Sequence, residues 1–260
     1  RQTDRQTEHE LTGFPSIDKP WLKYYTAEAL AKPPVKSTIF ERIYENNKSH
    51  SDDIAINYFG NKISYGTMFE QIEKCKNAMI NYGVKQGDKI ALLMTSTPEL
   101  VYVVLALCRI GATADLISPL FSEKQIIDRV NETDADIMFV LDSLYEKISD
   151  ATDKMCIKKY VIVEVTNGMS GVTKIMASMK LAKHIVYTPQ IIKWKEFMLG
   201  QQSGIEDCPY IPDYPCIMVY SSGSTGASKG IVLTNDGINA LIREKKTGQC
   251  EHFVKEIDAL

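Results

Sequence analysis

Between residues 89 and 165, four short apolar runs alternate with segments of helical periodicity. They are "KIALLM" (Lys89–Met94), "ATADLI", "DIMFVLD" and "YVIVEV". Strands separated by helices of about a dozen residues make βαβ units. Their sheet is therefore mostly parallel, and both its faces must be covered. The predicted class is α/β: a mostly parallel, doubly wound sheet with helices on both faces.

The punctuation between these runs is equally specific. "IAINYFG", a turn at Gly60-Asn61 and "KISY" predict a hairpin. Met68, Ile72, Cys75, Met79 and Tyr82 follow at helical spacing, with Gly83 as the stop. Ser96-Thr97-Pro98-Glu99 supplies a cap, a first-turn proline and an early acid for a helix that Gly111 ends. Ser122-x-x-Gln125 is a capping box that opens a helix through about Glu132. A short helix is expected around Leu144–Ile148. Residues 166–214 show no clear period, and Lys174, Lys180, Lys183, Lys193 and Lys195 read there as a solvated face. Residues 1–36 read as an irregular strap whose aromatic segment "GFPSIDKPWLKYY" packs on a core.

Composition narrows the function classes. The 260 residues are 44% apolar and 24% charged, ordinary for a globular chain with a substantial core. A net charge of −3 argues against a nucleic-acid partner held by a global basic field. The six cysteines (Cys75, Cys108, Cys156, Cys208, Cys216, Cys250) include no C-x-x-C pair and read as reduced, small core hydrophobes. The four histidines lack metal spacing, so no metal ligand is assigned. "RQTDRQTEHE" carries no apolar signal core, and the longest apolar run, Leu100–Cys108, is too short to span a bilayer. The expectation is a cytoplasmic protein without a membrane span.

The chemistry concentrates in "YSSGSTGASKGIVLTN" (Tyr220–Asn235). "CIMVY" before it and "GIVLT" after it are both strand-like, and Thr234-Asn235-Asp236 offers a cap for "GINALIREKK". A Walker loop would run straight into a helix and place Ser or Thr after its lysine. Here Ser228 replaces the second Walker glycine and Gly230 follows Lys229, so that reading fails twice. Phosphate chemistry still fits. Glycines 223, 226 and 230 permit a nest of inward N–H groups, Ser221, Ser222, Ser224 and Thr225 add hydroxyls, and Lys229 adds a mobile charge. A flexible Gly/Ser linker would not need a buried strand on each side.

"VYSSGSTGASKGIVLTN" resembles the phosphate-loop signature of the AMP-forming adenylating superfamily, which contains acyl-CoA synthetases, luciferases and peptide-synthetase adenylation domains. It departs at Ser228, where proline is usual and donates nothing to phosphate. "KISYGTMFEQIEKCKNAMINYGVKQGDKIALLM" and "TSTPELVYVVLALCRIGATADLISPLFSEKQI" are similar to the blocks that precede the loop in that family, so the likeness runs from about Ile54 to Leu241. The resemblance implies that a carboxylate attacks the α-phosphate of Mg²⁺-bound ATP and releases pyrophosphate. The thiol of CoA, or of a carrier's phosphopantetheine arm, then captures the acyl-adenylate. Carried onto this chain, it makes Ser221, Ser222, Gly223, Ser224, Thr225, Gly226 and Lys229 the phosphate binders; no catalytic side chain is assigned.

The same resemblance divides the chain into a strap (1–36), an incomplete AMP-binding domain (37–242) and a C-terminal remnant (243–260). The family's aromatic-Gly-x-Thr-Glu and Thr-Gly-Asp segments are absent, and Thr247-Gly248 is followed by Gln249. "EHFVKEIDAL" resembles the strand before the catalytic-lysine loop of the family's C-terminal domain; the alternative is a plain terminal remnant. The chain is thus expected to be truncated relative to the family and inactive alone. Three readings stand: part of an acyl-CoA synthetase-like ligase, part of a carrier-loading adenylation domain, or a non-catalytic ATP- or phosphate-binding fragment.

Overall fold

The computed structural model describes residues 12–20, 33–169, 184–200, 204–221 and 229–246, with single residues 27, 31, 171 and 175. The chain forms two compact units, Lys36–Asn239 and a second one built from 1–35 and 240–260. In the second unit a short helix, α1 (Pro15–Asp18), is closed by its own aspartate. The Asp18 carboxylate accepts from the Thr12 N–H (2.9 Å), Thr12 Oγ1 (2.7 Å) and the Gly13 N–H (2.9 Å). Phe14 and Ile17 are exposed, and Trp21, Tyr24 and Tyr25 of the segment expected to pack on a core lie outside the described residues.

The larger unit begins with α2 (Ile39–Asn47), followed by the hairpin β1 (Ile54–Tyr58) and β2 (Asn61–Ser64). Its turn falls one residue earlier than predicted. Phe59 (φ 49°) and Gly60 (φ 82°) are the two central residues, a mirror-image turn whose twist matches the strands and whose second position favours glycine. Next come α3 (Tyr65–Asn81), β3 (Lys89–Leu93), α4 (Pro98–Ile110), β4 (Thr113–Leu116), α5 (Glu123–Thr133) and β5 (Ile137–Leu141). After them are α6 (Asp142–Tyr145), a 3₁₀ turn at Ser149–Lys154, β6 (Lys159–Val163), β7 (Ile191–Lys193) and α7 (Trp194–Phe197). β8 (Pro215–Tyr220), β9 (Gly230–Thr234) and α8 (Asn235–Lys246) complete the order.

Caps set these boundaries. Ser122 Oγ accepts from the Gln125 N–H (3.3 Å) while Gln125 Oε1 accepts from the Ser122 N–H (2.9 Å), the predicted capping box of α5. α2 carries a second box, Thr38 with Glu41. Thr97 is nearly fully buried, and its Oγ1 accepts from the Leu100 N–H (3.3 Å) to open α4. Thr97→Ala is expected to cost about 1 kcal/mol, read as a lower urea midpoint; an unchanged midpoint would remove the cap from the account. Gly111 ends α4 at φ 78°, and a Cβ there would come within 2.7 Å of Cys208 Sγ, so both conformation and space demand glycine.

The main sheet has seven strands in the order β7-β6-β5-β3-β4-β8-β9. All neighbours are parallel except β8 and β9. Period-two alternation divides its strands between two cores. Ile90, Leu92, Ile137, Phe139, Leu141, Val161 and Val163 face α2, α3, α4 and α7. Ala91, Leu93, Met138, Val140, Tyr160 and Ile162 face α5 and the 3₁₀ region. The predicted doubly wound α/β class is the observed one.

Three local readings change. The helix expected around Leu144–Ile148 is α6 plus the later 3₁₀ turn. β7 and α7 lie inside the stretch that showed no period. Lys193 and Lys195 there are exposed, whereas Lys174, Lys180 and Lys183 lie outside the described residues. Cys75, Cys108 and Cys216 are buried as predicted, but Cys156 and Cys208 are only partly so. Among the described residues no helix is long and apolar enough to cross a membrane.

Candidate functional site

β8 runs parallel to β4 and ends at the sheet edge where the other parallel strands also end, the edge at which open α/β sheets bind ligands. The chain then returns as β9, antiparallel, with Tyr220 opposite Gly230 and Val219 opposite Ile231. The loop is therefore strand-bounded on both sides, unlike a Walker loop. Its neck is closed by two bonds. The Ser221 N–H donates to the Lys229 carbonyl (3.0 Å), and the Lys229 N–H donates to Ser221 Oγ (3.4 Å).

Of the predicted phosphate binders, Ser221 and Lys229 are thus brought together at the base of the loop, with the Lys229 side chain exposed. Ser222, Gly223, Ser224, Thr225 and Gly226 lie outside the described residues. Gly230 is not a loop glycine as the sequence reading had it. It is the first ladder residue of β9, because the Ser221–Lys229 bonds have already closed the neck.

The strands that carry the loop are held firmly. Tyr220 packs edge-on against Phe121 (5.9 Å between ring centroids), and the Arg129 guanidinium lies 5.7 Å from its ring centroid. Lys147 Nζ donates to the Pro119 carbonyl and to the Phe121 carbonyl (3.2 Å), fixing the segment after β4 that supports Tyr220. Cys216 donates to the Leu233 carbonyl (3.2 Å). Burial pushes its thiol up to about 12, so it is a packing group and not a nucleophile.

Beyond β9, Thr234 Oγ1 accepts from the Gly237 N–H (3.1 Å) and caps α8. The buried Asn235 and Asn239 tie that first turn to α2. Asn235 Oδ1 accepts from the Ile39 N–H (3.0 Å) and Asn239 Oδ1 from Arg42 Nη1 (2.9 Å). Asp236 accepts from the Asp213 N–H (2.6 Å) and the Tyr210 hydroxyl (2.5 Å), which together hold its carboxyl below the usual range. The base of the loop is thus a rigid frame.

One group beside this frame escaped the sequence reading. Asp115, in the middle of β4, is fully buried and lies opposite Met218 of β8. Its signal was present in "ATADLI", since an acid inside an otherwise apolar strand is rarely buried without purpose.

A model of the AMP-binding enzyme family matches residues 43–258. The chain belongs to the AMP-binding enzyme family. The matched span includes β8, the loop and β9. Among curated proteins, this family member is 27% identical over 194 residues to an acetyl-coenzyme A synthetase of Streptomyces avermitilis, covering 72% of this chain and 29% of that protein. It is 28% identical over 211 residues to one of Dictyostelium discoideum, covering 73% and 29%. The chain therefore spans about 29% of the length of these relatives.

Among solved structures, the crystal structure of the anthranilate CoA ligase AuaEII in complex with anthranoyl-AMP aligns with TM-score 0.65 and 16% identity, over 80% of this chain and 36% of that one. A long-chain-fatty-acid-CoA ligase from Archaeoglobus fulgidus aligns with TM-score 0.65 and 18% identity, over 83% and 40%. At such identities these two likenesses establish the shared fold.

Proposed function

We propose that this chain is part of the adenylation domain of an AMP-forming acid–thiol ligase of the acyl-CoA synthetase type. In this reading residues 37–242 are the nucleotide-binding part, with a strap at 1–36 and a remnant at 243–260. The observation that carries it is the loop itself, a glycine-, hydroxyl- and lysine-bearing connection strapped between β8 and β9 at the carboxyl edge of a parallel sheet in an AMP-binding family member.

The loop's task follows from its chemistry. Attack of a carboxylate on the α-phosphate of Mg²⁺-bound ATP places new charge on the departing pyrophosphate. Backbone N–H groups, the hydroxyls of Ser221, Ser222, Ser224 and Thr225, and the Lys229 ammonium are donors suited to the β- and γ-phosphates. Gly223 and Gly226 let the backbone approach them closely. The frame around Ser221 and Lys229 supports this by fixing where the loop begins and ends. The acyl-adenylate is then passed to CoA, which the acetyl-coenzyme A synthetase relatives favour as acceptor over a carrier's phosphopantetheine arm.

A second reading, a phosphate- or ATP-binding fragment without turnover, is favoured by Gln249 following Thr247-Gly248 where the family has Thr-Gly-Asp. ATP–pyrophosphate exchange over a panel of carboxylic acids, run beside ATP binding, separates the two. Acid-dependent exchange supports the ligase. ATP binding without exchange supports the fragment. Neither binding nor exchange contradicts both.

A further inference from the structure

Among α3, α4 and α7 lies a cleft of about 640 Å³. The β1–β2 hairpin and residues 167–168 complete its walls. Those walls are fixed. Asn61 Nδ2 donates to the Gly168 carbonyl (2.8 Å) and the Tyr58 hydroxyl to the Val165 carbonyl (2.9 Å), tying the hairpin to the chain that follows β6. A Cβ on Gly168 would fall 2.8 Å from Pro98 Cγ, so a side chain there is crowded out where these segments meet.

Two buried donors open into this cleft. Tyr102 of α4 is 6% exposed, Trp194 at the start of α7 is 9% exposed, and both line it. Among the described residues neither the Tyr102 hydroxyl nor the Trp194 indole N–H has a hydrogen-bond partner, and neither atom is sealed from the open space beside it. Tyrosine and tryptophan buried this deeply ordinarily give these donors to a protein acceptor. The indole is held instead by ring contacts with Phe139 and Phe197 (6.1 and 5.8 Å between centroids), which fix the direction of its N–H.

Charge is graded along the cleft. Lys74 of α3 and Lys195 of α7 stand exposed at its mouth, and neither has an acidic partner among the described residues. Glu99 is buried in the first turn of α4, at the inner end. Ile63, Pro98 and Leu199 supply apolar wall. An anionic head is therefore favoured at the lysines and disfavoured further in, while the two neutral donors suit an uncharged oxygen.

We propose that this cleft is a binding site for a small amphipathic organic anion. Its carboxylate or phosphate head lies between Lys74 and Lys195, its apolar body against Ile63, Pro98 and Leu199, and a carbonyl-type oxygen accepts from Tyr102 and Trp194. A volume of this order accommodates a drug-sized ligand. The site shares no residue with the β8–β9 loop, so it stands or falls apart from the ligase reading.

Trp194 is one of two tryptophans, so in the Trp21→Phe chain its emission reports on the cleft directly. Titration with N-octanoylglycine or N-octanoyl-phosphoethanolamine, without nucleotide, should change that emission saturably. The tighter of the two identifies the head that the lysines take. N-octanoylethanolamine, which keeps the carbonyl and lacks the charge, should bind about tenfold more weakly. Charge reversal in Lys74→Glu with Lys195→Glu should weaken the anion by at least about tenfold, and Tyr102→Phe by about three- to tenfold. The lysines are exposed and Tyr102→Phe removes only a hydroxyl, so the unfolding midpoints should stay close to that of the parent chain. No saturable change with either anion, or an affinity undiminished by the charge reversal, overturns the proposal. An unchanged affinity in Tyr102→Phe removes that hydroxyl from the site.

Discussion

Phe139→Ala is expected to be the most damaging single truncation in the sheet unit, costing about 3–5 kcal/mol. Phe139 is fully buried at the centre of β5, between Leu92 of β3 and Val161 of β6. Its ring meets Phe197 edge-on at 5.1 Å between centroids and Trp194 at 6.1 Å. Removing it takes a contact from both aromatic residues of α7 and leaves a void that two fixed strands cannot close. The melting temperature should fall by about 10 °C. Phe139→Leu, which keeps most of the volume, should cost much less. Equal losses for the two substitutions would show that packing at this position is not what holds α7 to the sheet.

The second large effect is expected from Asp207→Ala, at about 2–4 kcal/mol. Asp207 lies on the segment that leads into β8. It accepts from Lys76 Nζ (2.9 Å) on α3 and from Arg109 Nε (2.7 Å) on α4. Lys76 is only 3% exposed, so removing its partner leaves a charge that water cannot reach. Glu73 moderates the loss, because it also faces Lys76 (3.6 Å) and pairs with Arg109 (2.5 Å). Arg109 lies 4.5 Å from the Phe40 ring centroid and keeps that contact as well.

The pH dependence of this network has a definite sign. Burial alone would raise the Asp207 carboxyl, but the hydrogen bonds and charges of Arg109 and Lys76 outweigh it and hold it below the ordinary value. A folded-state value below the unfolded one contributes stability that is present above about pH 4 and lost as pH falls through the folded value. Asp207→Asn should therefore flatten the acid limb of the stability curve. Burial shifts the Asp115 carboxyl the other way, upward, so its contribution has the opposite sign and is lost as pH rises. An acid limb unchanged in Asp207→Asn would mean the network is not what acid breaks.

Much of this fold was legible because its signals are local. The unbroken apolar runs in "KIALLM" and "DIMFVLD" assign buried strands, and the capping box at Ser122–Gln125 places the start of α5. The loop could be told from a Walker loop because its second flank, "GIVLT", is β-branched, and β9 is indeed a strand. What stayed hidden depends on partners far away in sequence. Lys76 shares the buried face of α3 with Ile72 and Met79, and its partner Asp207 is 131 residues further on. β7 is three residues long and is assigned only by pairing with β6, which no period within "IIK" can announce. Of the candidate site, the sequence names Ser221 and Lys229, and the structure joins these two across the neck of the loop. The surroundings of Asp115 could not be read there, because Thr133 and Tyr220 meet it from α5 and β8.

The central claim is that the β8–β9 loop holds the outer phosphates of a nucleotide, and its most direct measurement is ATP and AMP affinity for the wild-type chain and Lys229→Ala. Losing the ammonium should weaken ATP binding by about 10- to 100-fold, leave the weaker binding of AMP unchanged and barely move the unfolding midpoint, since the Lys229 side chain is exposed. Unchanged ATP affinity in a folded Lys229→Ala protein would contradict the account.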